Sequence, residues 1–386
     1  MNIIKKWVTS LKLFVIALGL SFSSTSTNAQ EFILEAPTTL HPSLQELGTE
    51  LMKNKTGSIV AINPANGEII CMVTNSPLGS NETLAVATAY PPGSVIKPAN
   101  ALTFLSEGIA TANTRVGCTN GFRDGNIKVG CHKHYSPLAM EDAIAISCNT
   151  WFLKSYIGML NNKRYASKEI AITAWNEYMR SMGLGSPLGT DIANEKGGLL
   201  ANVSYLNRRY KNGWDAKTII MWAGMGQGDI TVTPLQLANL AASIANRGFF
   251  YTPHIHKDCD WNPLSSRFLK QHQTMVSPIS YNVVINGMRK CVTKGTASAI
   301  NTPLFTICGK TGTAENAGKD HSVFIGFAPM TNPKVAISVY IEHGGWGSDV
   351  AAPIAALIME KYLKGNLSAK SQTVAKRIIS LKTTTE

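Results

Sequence analysis

Ser94-Val95-Ile96-Lys97 places a hydroxyl and an amine three residues apart. On a helix that spacing turns both side chains to the same side. A serine hydroxyl is a poor nucleophile until a base takes its proton, and a lysine kept neutral by its surroundings can be that base. A second short motif, Ser147-Cys148-Asn149, offers another hydroxyl and an amide just after a helical run. A third, Lys310-Thr311-Gly312-Thr313, puts a cation and two hydroxyls at the end of a predicted strand. Gly312 lacks a side chain, so a substrate has room to lie close against that strand. Together they suit acyl transfer through a serine ester. Taken singly, each has an ordinary use: Ser94, Ser147 and Asn149 suit helix caps, Lys97 a solvated helix face, and Lys310 a turn. It is their order, with Tyr90-Pro91-Pro92-Gly93 just before the serine and a strand under the lysine, that points to one site.

Such a site needs elements to hold it. Pro42–Lys53 carries Leu44, Leu47 and Leu51 at helical spacing. Gly57–Ile62, a turn over Asn63–Gly67 and Glu68–Thr74 read as a hairpin. Ser94–Leu105 reads as one helix, with Pro98 in its first turn. Gly117–Tyr135, rich in Gly, Cys and His, has no clean period and reads as an excursion. Helices are predicted over Pro137–Ser147, from Thr150 to Met159, over Lys168–Met182, over Thr233–Ala245 with Gly248 just beyond, and over Gln273–Cys291. The last third reads as strands Leu304–Ile307, Ser322–Ala328 and Val335–Ile341, then a helix over Ala352–Leu363. Residues 364–386 read as a basic polar tail. Strands at both ends and helices between imply a sheet built from the two ends, with an all-helical insert.

The chain has 386 residues, 44% apolar and 16% charged, which excludes a mostly disordered polypeptide. Lys5 and Lys6, the apolar run Leu13–Phe22 and the small residues around Thr27-Asn28-Ala29 form a leader expected to be cut after Ala29, with an uncleaved anchor as the alternative. The net charge of +12 suits a negatively charged envelope polymer. No zinc-finger spacing, aromatic–basic interleaving or single basic stripe supports nucleic acid as a partner.

Seven cysteines are too few for a disulfide-built scaffold, and the odd number leaves at least one unpaired or on a metal. Cys118, Cys131, His134 and Cys148 make a three-sulfur, one-nitrogen set suited to tetrahedral zinc, with His132 an alternative to His134. A Cys118–Cys131 disulfide and free thiols are the competing readings. Cys148 lies between two site residues, so its side chain should point away from the groove. Cys71 and Cys308 sit in apolar strands and read as core. His321 and Ser322 follow the third motif, and Trp346 is either a ligand-side wall or a cap on the sheet edge.

The chain resembles the transpeptidase domain of class B penicillin-binding proteins, most nearly the elongation-specific type of the Bacteroidetes group. The matching stretches are Gly57–Val73, Tyr90–Lys97, Gly117–Phe152, Gly224–Gly248, Gly309–Pro329 and Glu342–Leu363. Gly224-Met225-Gly226-Gln227-Gly228 followed by Thr233-Pro234-Leu235-Gln236, and Gly344-Gly345-Trp346-Gly347, are distinctive of such domains.

The resemblance implies an α/β sandwich of the serine β-lactamase and D,D-transpeptidase type: a mainly antiparallel five-stranded sheet, helices on both faces and an all-helical lobe over roughly 98–300, within a domain spanning 30–363. It implies a periplasmic enzyme acting on peptidoglycan stem peptides and acylated by β-lactams, with no cofactor for the chemistry. Ser94 would attack the D-alanyl-D-alanine carbonyl and Lys97 would take its proton. Ser147 would relay a proton to the leaving amine, with Lys310 close by. Asn149 would hold the donor's amide, Thr311 and Thr313 its carboxylate, and the Ser94 and Thr313 amides would form the oxyanion hole. A carboxypeptidase, a slow β-lactamase and a non-catalytic sensor are the alternatives, and no dedicated deacylating carboxylate is evident. Some relatives carry a metal in the region of the excursion, which favours structural zinc. Relatives also carry a long pedestal before this domain. Only Gln30–Met52 precedes the first hairpin here, which weakens the expectation of cell-wall synthesis partners.

Overall fold

In the computed structural model, residues 37–76 and 83–383 are described. The leader expected over residues 1–29 lies outside them. Helix α1 (Pro42–Met52) precedes a hairpin of β1 (Gly57–Ile62) and β2 (Ile69–Asn75). The chain then passes through the helical lobe and returns as β5 (Cys308–Ala314), β6 (His321–Ala328) and β7 (Val335–Ile341). These five strands form one antiparallel sheet in the order β2-β1-β7-β6-β5. The first and last parts of the chain thus meet in the middle of the sheet, where Gly57 pairs with Ile341 and Ile62 with Ala336. β1 and β7 are buried throughout, because both faces of the sheet are covered.

One face of the sheet carries Val323, Ile325, Phe327, Ala336 and Tyr340 into a core shared with the helical lobe. The other carries Phe324, Val335, Ile337, Val339 and Ile341 against α1 and the C-terminal helix α9 (Ala351–Lys364). The lobe contains α2 (Lys97–Ser106), α3 (Met140–Ala145), α4 (Asn149–Leu160), α5 (Lys168–Ser181), α6 (Ala216–Met225), α7 (Pro234–Ala245) and α8 (Pro278–Lys294). α7 is fully buried and starts with a capping box: Gln236 N donates to Thr233 Oγ1 and Thr233 N to Gln236 Oε1. Gly117–Tyr135 contains a hairpin, β3 (Gly121–Asp124) and β4 (Ile127–Gly130), that projects beside the lobe.

Three local readings need correction. Leu304–Ile307 is not a strand; the edge strand begins at Cys308 and contains the whole third motif. Ser94–Leu105 is not one helix but a tight 3-10 turn, Gly93–Ile96, feeding α2 at Lys97. The expected tail over 364–386 contains helix α10 (Ala369–Ser380), whose Ser368 cap accepts from Ser371 N and whose Ile378 is fully buried. Its exposed face is polar and basic, which hid an apolar stripe only two or three residues deep.

Candidate active site

The serine sits where the 3-10 turn meets the edge strand. Gly93 N donates to Gly226 O at 2.7 Å, tying the turn to the glycine-rich segment that follows α6. Lys97, one turn on, is fully buried, and its Nζ meets Ser147 O at 3.0 Å, Ser147 Oγ at 3.1 Å and Asn149 Oδ1 at 2.6 Å. The first and second motifs therefore converge on one amine. Ser147 adopts the left-handed conformation, φ +60°, between α3 and α4, which aims its hydroxyl inward. α3 is held against α8 by Lys290, which bridges Glu141 at 2.8 Å and Asp142 at 3.0 Å.

Burial sets the protonation of the two lysines. Lys97 is held well below an ordinary lysine, first by desolvation and then by the positive charge of Lys310. Lys310, also fully buried, is pushed down to about 8 by desolvation. Its Nζ donates to Thr311 O at 2.8 Å. Lys97 thus gives up its proton more readily than an ordinary lysine, as a base for the serine would need to.

Ser94, Ser147, Asn149, Thr311 and Thr313 line one cleft of about 660 Å³. Lys97 and Lys310 lie beneath its floor, out of contact with solvent. Gly312 does not line it. A Cβ there would come within 2.9 Å of Val95 Cγ1 and 3.2 Å of Pro92 O, so the bare backbone seats the serine turn rather than a substrate. Thr296, Lys128, Glu315, Asp320 and Trp346 also line the cleft and were not assigned to it from sequence. Thr296 Oγ1 lies 2.5 Å from Thr311 Oγ1, and only a Gly-Thr pair just past a helix hinted at it. Glu315 and Asp320 bring carboxylates into the cleft, where no dedicated deacylating carboxylate is evident from sequence. Trp346 is a wall of the cleft, not merely a cap on the sheet edge. Ser322 and His321 are not cleft residues: Ser322 Oγ donates to Trp346 O and accepts from Ala351 N, while the His321 ring packs near Tyr340 and His343. A more apolar groove of about 730 Å³ lies on the far side of Trp346 and holds none of the three motifs.

The donor atoms of Cys118, Cys131, His134 and Cys148 all lie within 4.8 Å of one another. His132 is not among them; its ring turns to the cleft. No disulfide joins these cysteines, and Cys131 Sγ is 4.0 Å from Cys148 Sγ. The Cys131 thiol is held well below its ordinary value, chiefly by its hydrogen bond with Cys148, and Cys148 is correspondingly raised. His134 Nδ1 lies 2.7 Å from Tyr135 O, and its Nε2 is buried without a partner. An imidazole anchored through one nitrogen, with the other orphaned beside three thiols, fits a tetrahedral metal site. Cys148 points away from the cleft, as its place between Ser147 and Asn149 requires.

A buried lysine under a cleft serine, a second serine and asparagine on that lysine, and a threonine-bearing edge strand make an arrangement chemically suited to serine acyl transfer. Residues 57–360 match the family described as the penicillin binding protein transpeptidase domain, and the chain belongs to that family. It is 29% identical to the peptidoglycan D,D-transpeptidase MrdA of Acinetobacter baumannii, over 81% of this chain and 52% of that protein. It is 25% identical to the peptidoglycan D,D-transpeptidase PbpA of Mycolicibacterium smegmatis, over 82% of this chain and 70% of the relative. Against the crystal structure of Pseudomonas aeruginosa PBP2 in complex with WCK 5153, the TM-score is 0.75 with 28% identity, covering 87% of this chain and 81% of that one. Helicobacter pylori PBP2, in its complex with MreC, gives 0.71 with 25% identity, covering 86% and 64%. The chain spans about half the length of MrdA-type relatives.

Proposed function

We propose that this chain is a periplasmic serine D,D-transpeptidase of peptidoglycan. The observation that carries this is the fully buried Lys97, in contact with both Ser147 and Asn149 beneath the cleft that holds Ser94 and held well below an ordinary lysine by burial. Lys97 takes the Ser94 proton as Oγ attacks the penultimate D-alanyl carbonyl of a stem peptide. The backbone amides of Ser94 and Thr313 hold the oxyanion. Asn149 meets the donor's amide, Thr311 and Thr313 hold its terminal carboxylate, and the Lys310 ammonium supplies positive charge from beneath the floor. The C–N bond breaks, Ser147 relays the proton to the leaving amine, and D-alanine departs. An amine of a neighbouring stem then attacks the ester, forming the cross-link and restoring the Ser94 hydroxyl. A β-lactam enters the same path, but its leaving amine stays tethered, so the ester persists.

The cluster of Cys118, Cys131, His134 and Cys148 is proposed to hold zinc as a structural tether for the excursion and for the turn carrying Ser147 and Asn149. The excursion already touches the site, since Asn149 Nδ2 donates to Gly130 O at 2.7 Å. The Helicobacter relative seen with MreC supports cell-wall synthesis partners of that kind for this chain, and the likeness to MrdA supports the elongation type.

The test is intact mass over time with benzylpenicillin, wild type beside Ser94→Ala. The expected result is a stoichiometric adduct on wild type, absent from the variant and lasting for hours. An adduct that clears within minutes makes the protein a β-lactamase. No adduct on folded protein makes it a non-catalytic binder.

A further inference from the structure

The rings of His132 and Trp346 meet across the mouth of the catalytic cleft, centroids 5.4 Å apart and planes inclined by 55°. Both line the same cleft as Ser94, Asn149 and Thr313, on opposite walls. Trp346 is 55% exposed, an unusual place for the largest apolar side chain unless something covers it.

Each ring is carried by backbone fixed to a catalytic motif. On one wall, Trp346 O accepts from Ser322 Oγ at 2.9 Å, and Gly345 N donates to Asp320 O at 2.7 Å. The next residue, Gly347, lies so close to the third motif that a Cβ would fall 2.3 Å from Gly312 O and 2.4 Å from Val323 O. On the other wall, Gly130 O is held by Asn149 Nδ2 at 2.7 Å, and Cys131 Sγ packs on Cys148, within the second motif, and on Thr150 just after it. The His132 ring is therefore anchored to Ser147–Asn149 and the Trp346 ring to Lys310–Thr313. Their contact spans the two motifs above the serine.

We propose that His132 and Trp346 form a two-ring clamp that closes over the acyl donor and positions it for attack by Ser94. The inference rests on the reading of the cleft as an acyl-donor site. A flat amide needs about 3.5 Å to each ring face, so the rings must stand roughly 7 Å apart to hold one. At 5.4 Å they touch each other instead. The anchored backbones do not have to move, because rotation of two exposed side chains opens the gap. The ligand class is a peptide, or the acylamino side chain of a β-lactam, whose amide plane precedes the reacting carbonyl. The rings stack on that plane. Neither ring touches the reacting atoms, so both are positioning residues.

The experiment is saturation kinetics of acylation by benzylpenicillin, separating the pre-acylation dissociation constant from the acylation rate constant. Trp346→Ala and His132→Ala are each expected to raise the dissociation constant about five- to tenfold, a size typical of one aromatic contact. The acylation rate constant and adduct lifetime should stay within about twofold. The double variant should be no worse than either single one, since a clamp fails when one jaw is lost. His132→Phe and Trp346→Phe should restore binding. The first of these keeps a ring but has no nitrogen, which separates stacking from metal binding. A His132→Phe protein as weak as His132→Ala, a loss in the rate constant instead of the dissociation constant, or no change at all overturns the clamp. Wild type that fails to acylate defeats the functional reading instead. The clamp is then decided by calorimetry of diacetyl-lysyl-D-alanyl-D-alanine with Ser94→Ala. Affinity that is absent, or unaffected by adding Trp346→Ala, overturns it, and a five- to tenfold loss supports it.

Discussion

The side-chain amide of Asn149 is shared between Lys97 and the excursion: Oδ1 lies 2.6 Å from Lys97 Nζ, and Nδ2 donates to Gly130 O at 2.7 Å. A neutral acceptor on Lys97 steadies the amine without adding charge. Asn149→Asp would place a carboxylate at the same point and favour the ammonium form. Acylation at pH 7 should fall about a hundredfold, the usual weight of a general base. Its acid limb should move to higher pH, because Lys97 then keeps its proton longer. An unshifted limb in the pH–rate profile would separate Asn149 from control of Lys97.

The two buried lysines predict a bell-shaped profile for wild-type acylation. Lys97 must be neutral, so the rate rises as pH passes through its lowered value. Lys310 must be charged to hold the carboxylate, so the rate falls as pH rises through about 8. Stability has its own sign. Lys310 loses its proton more readily folded than unfolded, so the unfolded chain binds more protons between about 8 and 10.5. Burial of its charge costs the most below that window, so Lys310's own contribution to the urea midpoint should rise across it, alongside Lys55 in the same direction and the raised Cys71 and Cys308 thiols in the opposite one. The difference between wild type and Lys310→Met should therefore grow across that window, and the variant should bind the donor's carboxylate more weakly.

Gly312 makes a mechanical prediction. A methyl group there meets Val95 Cγ1 at 2.9 Å and Val95 N at 3.2 Å. Gly312→Ala should push the serine turn away from the edge strand. Displacement by a fraction of an ångström to one ångström commonly costs about a hundredfold in rate. Stopped-flow acylation should show that loss in the rate constant, with the donor's affinity much less affected.

The three motifs were legible because each has a fixed internal spacing, and the sheet because β1, β6 and β7 are long apolar runs with turns between them. Val335–Ile341 and Gly57–Ile62 fall where the residue pattern put them. The edge strand was misplaced because its residues, Cys308-Gly309-Lys310-Thr311-Gly312-Thr313-Ala314, lack the apolar alternation of a strand. They are buried by the lobe and by the neighbouring strand, a tertiary effect that propensity does not carry. The break at Lys97 was hidden because Ser94–Leu105 keeps a helical period through the 3-10 turn. Glu315, Asp320 and His132 enter the cleft through loop conformation alone, and no periodicity marks a loop.

α10 shows the same limit at the C-terminal end. Ile378 is fully buried against the α1 and α9 side of the sheet although its neighbours Lys376, Arg377 and Ser380 are exposed. Ile378→Ala should destabilise the protein by about 2–4 kcal/mol, as buried isoleucine truncations do. The measurement is the urea midpoint, with the acylation rate as a control. That rate should be unchanged, since α10 packs on the face of the sheet opposite the serine turn.

The cysteine–histidine cluster gives the last test. If Cys118, Cys131, His134 and Cys148 hold zinc, the metal cross-links the excursion to the start of α4, whose first residue is Asn149. Binding of the metal to the folded state alone makes it part of the folding free energy. Chelation should release one equivalent of zinc and expose the thiols to titration. It should also raise amide exchange across residues 118–134 while the sheet stays protected. Loss of that anchor frees Gly130 from Asn149, and Asn149 from its place on Lys97. Acylation should therefore slow in step with metal release and recover when zinc is restored. Cys118→Ser, which removes a ligand remote in sequence from Ser147 and Asn149, should reproduce the effect. Metal-free protein, with loss confirmed by elemental analysis, that acylates at the wild-type rate would show that the cluster and the second motif are mechanically independent.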